Sequence, residues 1–159
     1  MTTNTQTPSF VDTTDNIQSR ISFALLWLRI SIFLMMIVWA IDKFARPEHG
    51  AAVFSSFYGV EGIGTAIVYG IGILQCTLFF SFLIGFRKQI TYGLVMLLHG
   101  TSTIIALPTY LNTYAGGPES CNILFWAAFP VLAACFGLYY LRDLDTRMTI
   151  WGSPKDVRI

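Results

Sequence analysis

Four long apolar runs take up most of this 159-residue chain and leave little else to fold with. They read as Ile21–Phe44, Gly64–Phe86, Gln89–Tyr110 and Asn122–Leu141. Each comes to about the 20 residues that cross a hydrocarbon core ~30 Å thick. Only 12% of the residues are charged, about half the ~25% of a soluble domain. The runs are apolar nearly all round, whereas a surface helix of a soluble protein carries one apolar stripe. The expectation is an all-α fold, a four-transmembrane-helix bundle over residues 21–141. A flexible N-terminal arm, 1–20, precedes it, rich in Thr, Ser, Asn and Gln. A short tail, 142–159, follows, too small to fold alone. The first run exceeds the ~7–15 residues of a signal-peptide core, and Ile41–Phe44 offers no small-residue cleavage site, so it reads as a retained span.

Charge sets the orientation. With four spans, the N-terminal arm, the Gly85–Gln89 turn and the tail lie on one side. That side holds Arg20, Arg87, Lys88, Arg142, Arg147, Lys155 and Arg158, seven of the ten Lys and Arg. The other side holds Lys43 and Arg46, and Arg29 falls inside the first run. The positive-inside rule then places both termini in the cytoplasm of a multi-pass protein of the bacterial inner membrane. The outer segment Ala45–Ile63 mixes aromatic residues with glycine and reads as a short interfacial helix.

In lipid, helices are held by close approach, because the tails are as apolar as the side chains. The second span offers Gly62, Ala66 and Gly70, with Gly64 and Gly72 beside them, and the third offers Gly93 and Gly100. Pro130 removes a backbone bond in the fourth span and is expected to kink it near Trp126. Three polar side chains, Arg29, Gln75 and His99, are expected at comparable depth. Such groups are costly in hydrocarbon and should face the interior. Helical projection puts Arg29, Met36 and Lys43 on one face of the first span. Tyr92, Met96, His99 and Thr103 share a face of the third, and Trp126 lies on a face of the fourth. An interior lined by Arg29, Met36, Lys43, Gln75, Tyr92, His99, Thr103 and Trp126 has the character of a site for a flat lipophilic molecule such as a quinone. The alternative is structural: Arg29 snorkels to the headgroups, and His99 with Thr103 ties two helices together.

Other chemistries find little purchase. Cys76, Cys121 and Cys135 do not form a thiol pair near the outer face, as a disulfide relay requires. His49 reads as a loop residue and His99 as mid-span, so no His pair at ligand spacing exists for haem or zinc. No Gly-rich phosphate loop opens a soluble helix. The basic tail is suited to anionic headgroups and not to nucleic acid.

The first span and its outer end, Leu28-Arg29, then Trp39-Ala40-Ile41-Asp42-Lys43-Phe44 and Pro47, resemble the opening of DoxX-type small membrane proteins. The likeness continues through Gly70-Ile71-Gly72-Ile73-Leu74-Gln75 and Leu83-Ile84-Gly85-Phe86-Arg87, and covers roughly Leu25–Ala106. Asp42 stands where that family has a small residue, and Gln75 where a Glu is common. An amide can hydrogen-bond Arg29 or His99 but supplies no counter-ion. The resemblance implies a four-helix inner-membrane subunit without a defined reaction of its own. Such a subunit would be associated with redox or quinone-linked systems or with maturation of exported proteins. The partner would then be another membrane or periplasmic protein, or a second copy of the chain. A lipophile-binding module and a small-solute permease are the competing readings.

Overall fold

The computed structural model describes residues 10–111 and 123–150, and these contain helices and turns but no strand. Helix α1 spans Phe10–Ala45 and α2 Pro47–Tyr58. They are followed by α3, Thr65–Leu83, α4, Lys88–Ile105, and α5, Leu107–Leu111. After a 3-10 turn at Ile123–Ala127 comes α6, Ala128–Tyr140, and a second 3-10 turn covers Arg142–Leu144. Two helical stretches are long and apolar enough to cross a membrane, Thr14–Ala45 and Thr65–Leu83, and Phe125–Tyr140 is a shorter apolar one.

The helices close a ring in which α1 packs on α3, α3 on α4, α4 on α6 and α6 back on α1. One face of α1 supplies Leu25, Ile32, Met36 and Ala40 to the core, with Arg29 on the same face at helical spacing. Phe79 and Phe82 of α3 meet them, with Tyr92 and Val95 of α4 and Cys135 and Leu138 of α6. The outside is apolar: Leu34, Leu74, Leu97, Ile104 and Phe136 are all exposed. Ser22, Arg29, Thr91, Thr103 and Asp145 are buried. This is the reverse of a water-soluble globule, where exposed apolar area is broken into small patches.

Three boundaries differ from the sequence reading. Helix α1 begins at Phe10, so residues 10–20 of the expected arm are helical and α1 is ~54 Å long at ~1.5 Å per residue. Extending an existing helix costs far less than starting one, and Arg147 Nη2 donates to Ser19 Oγ on this extension. The third run breaks at Ala106, because Pro108 lacks an N–H and crowds Leu107 out of a continuous helix. In the fourth, Pro130 falls in the first turn of α6, where its missing N–H does least harm, and the chain around Trp126 is 3-10.

Of the glycines expected to pack, Gly72, Gly93 and Gly100 face a neighbour, whereas Gly62, Gly64 and Gly70 do not. A Cβ at Gly64 or Gly70 would meet nothing, whereas one at Gly72 would lie 2.8 Å from the Phe44 ring. Gly72 is therefore where α3 and α1 approach. Gly93 and Gly100 do face a neighbour, Tyr139 and Leu132 of α6.

Candidate functional site

The polar centre of the structure gathers at one end of the ring, around Arg29. Helix α3 stops at Leu83, and the turn to α4 uses two left-handed residues, Gly85 at φ 65° and Arg87 at φ 43°. Thr91 Oγ1 donates to the Phe86 carbonyl and braces this turn at 2.9 Å. Tyr92, one turn into α4, then points at Arg29. From the other side, the chain leaving α6 folds back as a strap, residues 142–150, across the start of α4 and along the lower part of α1.

Arg29 Nη1 donates to Tyr92 Oη and to Asp145 Oδ2, each at 3.0 Å. The Tyr92 hydroxyl donates to the same carboxylate oxygen at 2.6 Å. Arg29 Nη2 donates to the carbonyls of Arg147, at 2.6 Å, and Met148, at 3.2 Å. Arg29 and Asp145 are both 0% exposed. A desolvated pair of this kind is tolerated only when hydrogen bonds satisfy the remaining lone pairs and protons. Here Tyr92 and the strap backbone serve the two terminal nitrogens of Arg29 and Oδ2 of Asp145. Three buried atoms close to this pair have no partner: Arg29 Nε, Asp145 Oδ1 and Thr149 Oγ1.

Further bonds fasten the strap. Lys88 Nζ donates to the Asp145 carbonyl at 2.6 Å, and the Ile150 N–H donates to the Ile84 carbonyl at 3.0 Å. Ser22 Oγ accepts from the Thr146 N–H at 3.2 Å, and Arg147 Nη2 donates to Ser19 Oγ at 2.9 Å. Arg147 also lies over the Phe23 ring, 5.6 Å from its centroid. A shallow polar groove of about 280 Å³ runs along this seam, lined by Asp15, Gln18, Ser19, Ser22, Thr146 and Arg147.

Of the eight residues expected to share a pocket, the structure joins Arg29 with Tyr92 across two helices, and Thr103 with His99 one turn apart on α4. Arg29 lies beside Gly85, whose Cβ position is 3.0 Å from Nη1, and so at the end of the ring rather than at mid-depth. Gln75 stands ~15 Å up α3 from that turn and His99 ~18 Å up α4, at about 1.5 Å per residue. The belt of Arg29, Gln75 and His99 does not form. His99 Nε2 bonds the Ala128 carbonyl at 3.1 Å and ties α4 to α6, and Thr103 Oγ1 donates to the His99 carbonyl at 2.8 Å. Gln75 Oε1 is buried without a partner. Met36 is core. Lys43 donates to the Trp39 carbonyl at 3.1 Å. Trp126 is about half exposed and packs on Tyr110 and Phe129. The tail, expected only to be too small to fold alone, supplies Asp145, which the sequence reading did not single out.

A second polar cluster lies at the other end. Asp42 pairs with Arg46 and, at 2.5 Å, with His49 Nδ1 of α2, while Tyr58 Oη meets Ser102 Oγ at 3.2 Å. Cys76 and Cys135 are free thiols, and Cys121 lies outside the described residues. Among the described residues, no group of three His, Cys, Asp or Glu is placed to hold a metal ion. Comparison with known proteins returns no match, whether to a family model, a curated protein or a solved structure.

Proposed function

We propose that this chain is a four-span integral protein of the bacterial inner membrane, DoxX-like in kind, with both ends in the cytoplasm. Its role is that of an accessory or anchoring subunit of a membrane redox or export and maturation system. The apolar exterior and charged interior support the membrane placement. Arg20, Arg87, Lys88, Arg142 and Arg147 lie on the segments that gather at one end of the ring, which supports the cytoplasmic sidedness.

The observation that carries the role is that both terminal nitrogens of Arg29 are taken up by the chain itself. An ionisable group on a membrane helix marks a functional site by default. This one is bound by a tyrosine, a carboxylate and two carbonyls of its own chain. It fixes the strap against α1, α4 and the intervening turn, and so gives the cytoplasmic end a defined polar face on which another subunit can seat. Purification from native membranes in mild detergent tests this. A stoichiometric partner identified by mass spectrometry as a redox or export component is expected, and its loss in Asp145→Ala would locate the contact. A chain that purifies alone, as monomer or homo-oligomer, overturns the reading.

A lipophile-binding role has one observation in its favour, the unpartnered Gln75 Oε1 within α3. Thermal protection by a quinone that disappears in Gln75→Leu would establish it, and equal protection of both proteins would remove it.

A further inference from the structure

The tip of the strap carries two large apolar side chains that its own fold leaves uncovered. Met148 is 79% exposed and Ile150 70%, although Asp145, three residues before Met148, is fully buried. The backbone causes the contrast. Met148 adopts φ 51°, a left-handed conformation that an unbranched L-residue rarely takes. The bend lets the carbonyls of Arg147 and Met148 both reach Arg29 Nη2. The Met148 side chain is left outside, and the tip's level along the ring is fixed by the bond from the Ile150 N–H to the Ile84 carbonyl.

That level is the end of an apolar span. Ile84 and Phe86, at the close of α3, are themselves exposed, and so is Trp27, two residues before Arg29 on α1. Arg87 and Arg147 are exposed beside them. Apolar side chains with Trp, set at the end of a span and flanked by Arg, are the composition of a segment seated among headgroups.

Resting on the four-span reading above, we infer that Met148 and Ile150 insert into the inner leaflet as an interfacial anchor, with Arg87 and Arg147 on anionic headgroups. The strap then holds the cytoplasmic end to the bilayer surface as well as to the bundle. The occupant is the lipid surface because the tip lies level with lipid-facing residues and carries the charge that complements an anionic leaflet.

The test uses the full chain with its three cysteines replaced, one new cysteine each at Met148, Ile150 or Leu97, an environment-sensitive fluorophore, and vesicles of phosphatidylcholine with phosphatidylglycerol. Leu97 is 64% exposed on α4 and reports the span itself. Labels at 148 and 150 are expected to be quenched by lipids bearing a shallow nitroxide and shielded several-fold from iodide. That shielding should fall when phosphatidylglycerol is omitted. Tip labels open to iodide and unquenched by lipid, while the Leu97 label is quenched by deep nitroxides, would overturn the anchor and leave the membrane reading standing. A Leu97 label that no lipid quenches would overturn both. Tip labels shielded from iodide but not quenched by lipid would assign the surface to a second copy, against this inference.

Discussion

Removing the guanidinium of Arg29 would leave a buried carboxylate and a tyrosine hydroxyl facing each other with no cation between them. Breaking such a pair costs about 3–5 kcal/mol, whereas replacing both partners by apolar residues is often close to neutral. Arg29→Leu is therefore expected to lower the melting temperature in detergent far more than the double change Arg29→Leu with Asp145→Leu. Equal losses from the two proteins would deny the pair its place. Tyr92→Phe keeps the ring, which packs edge-on against Phe82 at 5.0 Å, and loses only hydrogen bonds to charged groups, about 1.5–3 kcal/mol. The need for Arg29 to find a partner is legible in the sequence, and so is the lack of a carboxylate at Gln75. The partner itself is not, because Asp145 follows the last apolar run and carries no pattern that distinguishes it from a solvated acid. Only the fold back of the chain after α6 brings the two together.

At the scale of elements, the strap depends on one residue of the turn beneath it. A Cβ at Gly85 would fall 2.6 Å from Thr149 Cγ2 and 2.9 Å from Thr149 Cβ, and the backbone there is left-handed. Gly85→Ala should loosen residues 145–150 while leaving the helices paired. Hydrogen exchange would register this as faster exchange of the strap amides with α3 and α4 unchanged. Uniform acceleration would mean that the turn supports the whole ring. The strap can also be locked in place. Ser22 Oγ and Thr146 Oγ1 are 3.1 Å apart, so cysteines at these two positions, in a chain without its native cysteines, should oxidise to an intramolecular disulfide detectable by mass. Failure to cross-link would argue against the strap lying on α1. Neither the strap nor the helical Phe10–Arg20 extension is visible in hydropathy, since neither carries a long apolar run, and Arg147 of the strap bonds Ser19 of the extension. The breaks at Pro108 and Pro130 are legible as proline positions, but where the chain resumes its helix depends on what it packs against.

For the molecule as a whole, the closed ring of α1, α3, α4 and α6 takes one helix from each of the four apolar runs, although among the described residues only two helices are by themselves long and apolar enough to span a bilayer. Helix α4 has 18 residues but opens on Lys88 and Gln89 and carries His99, and α6 has only 13 residues. A four-span reading thus requires α4 with α5, and the 3-10 turn with α6, each to act as one crossing. Sidedness tests this directly. Asn16 on the α1 extension and Glu61 after α2 are both exposed, and α1 runs between them. Single cysteines at these sites, probed in intact cells with a membrane-impermeant maleimide, should label at position 61 and stay unlabelled at 16 until the cells are lysed. Labelling at 16 alone would invert the topology, against the seven basic residues counted on that side. Labelling of both from outside would mean that α1 does not cross. A third cysteine at Ile150 completes the count. If it shares the behaviour of position 16, an even number of crossings separates the strap from the α1 extension, as the bond from Arg147 to Ser19 requires.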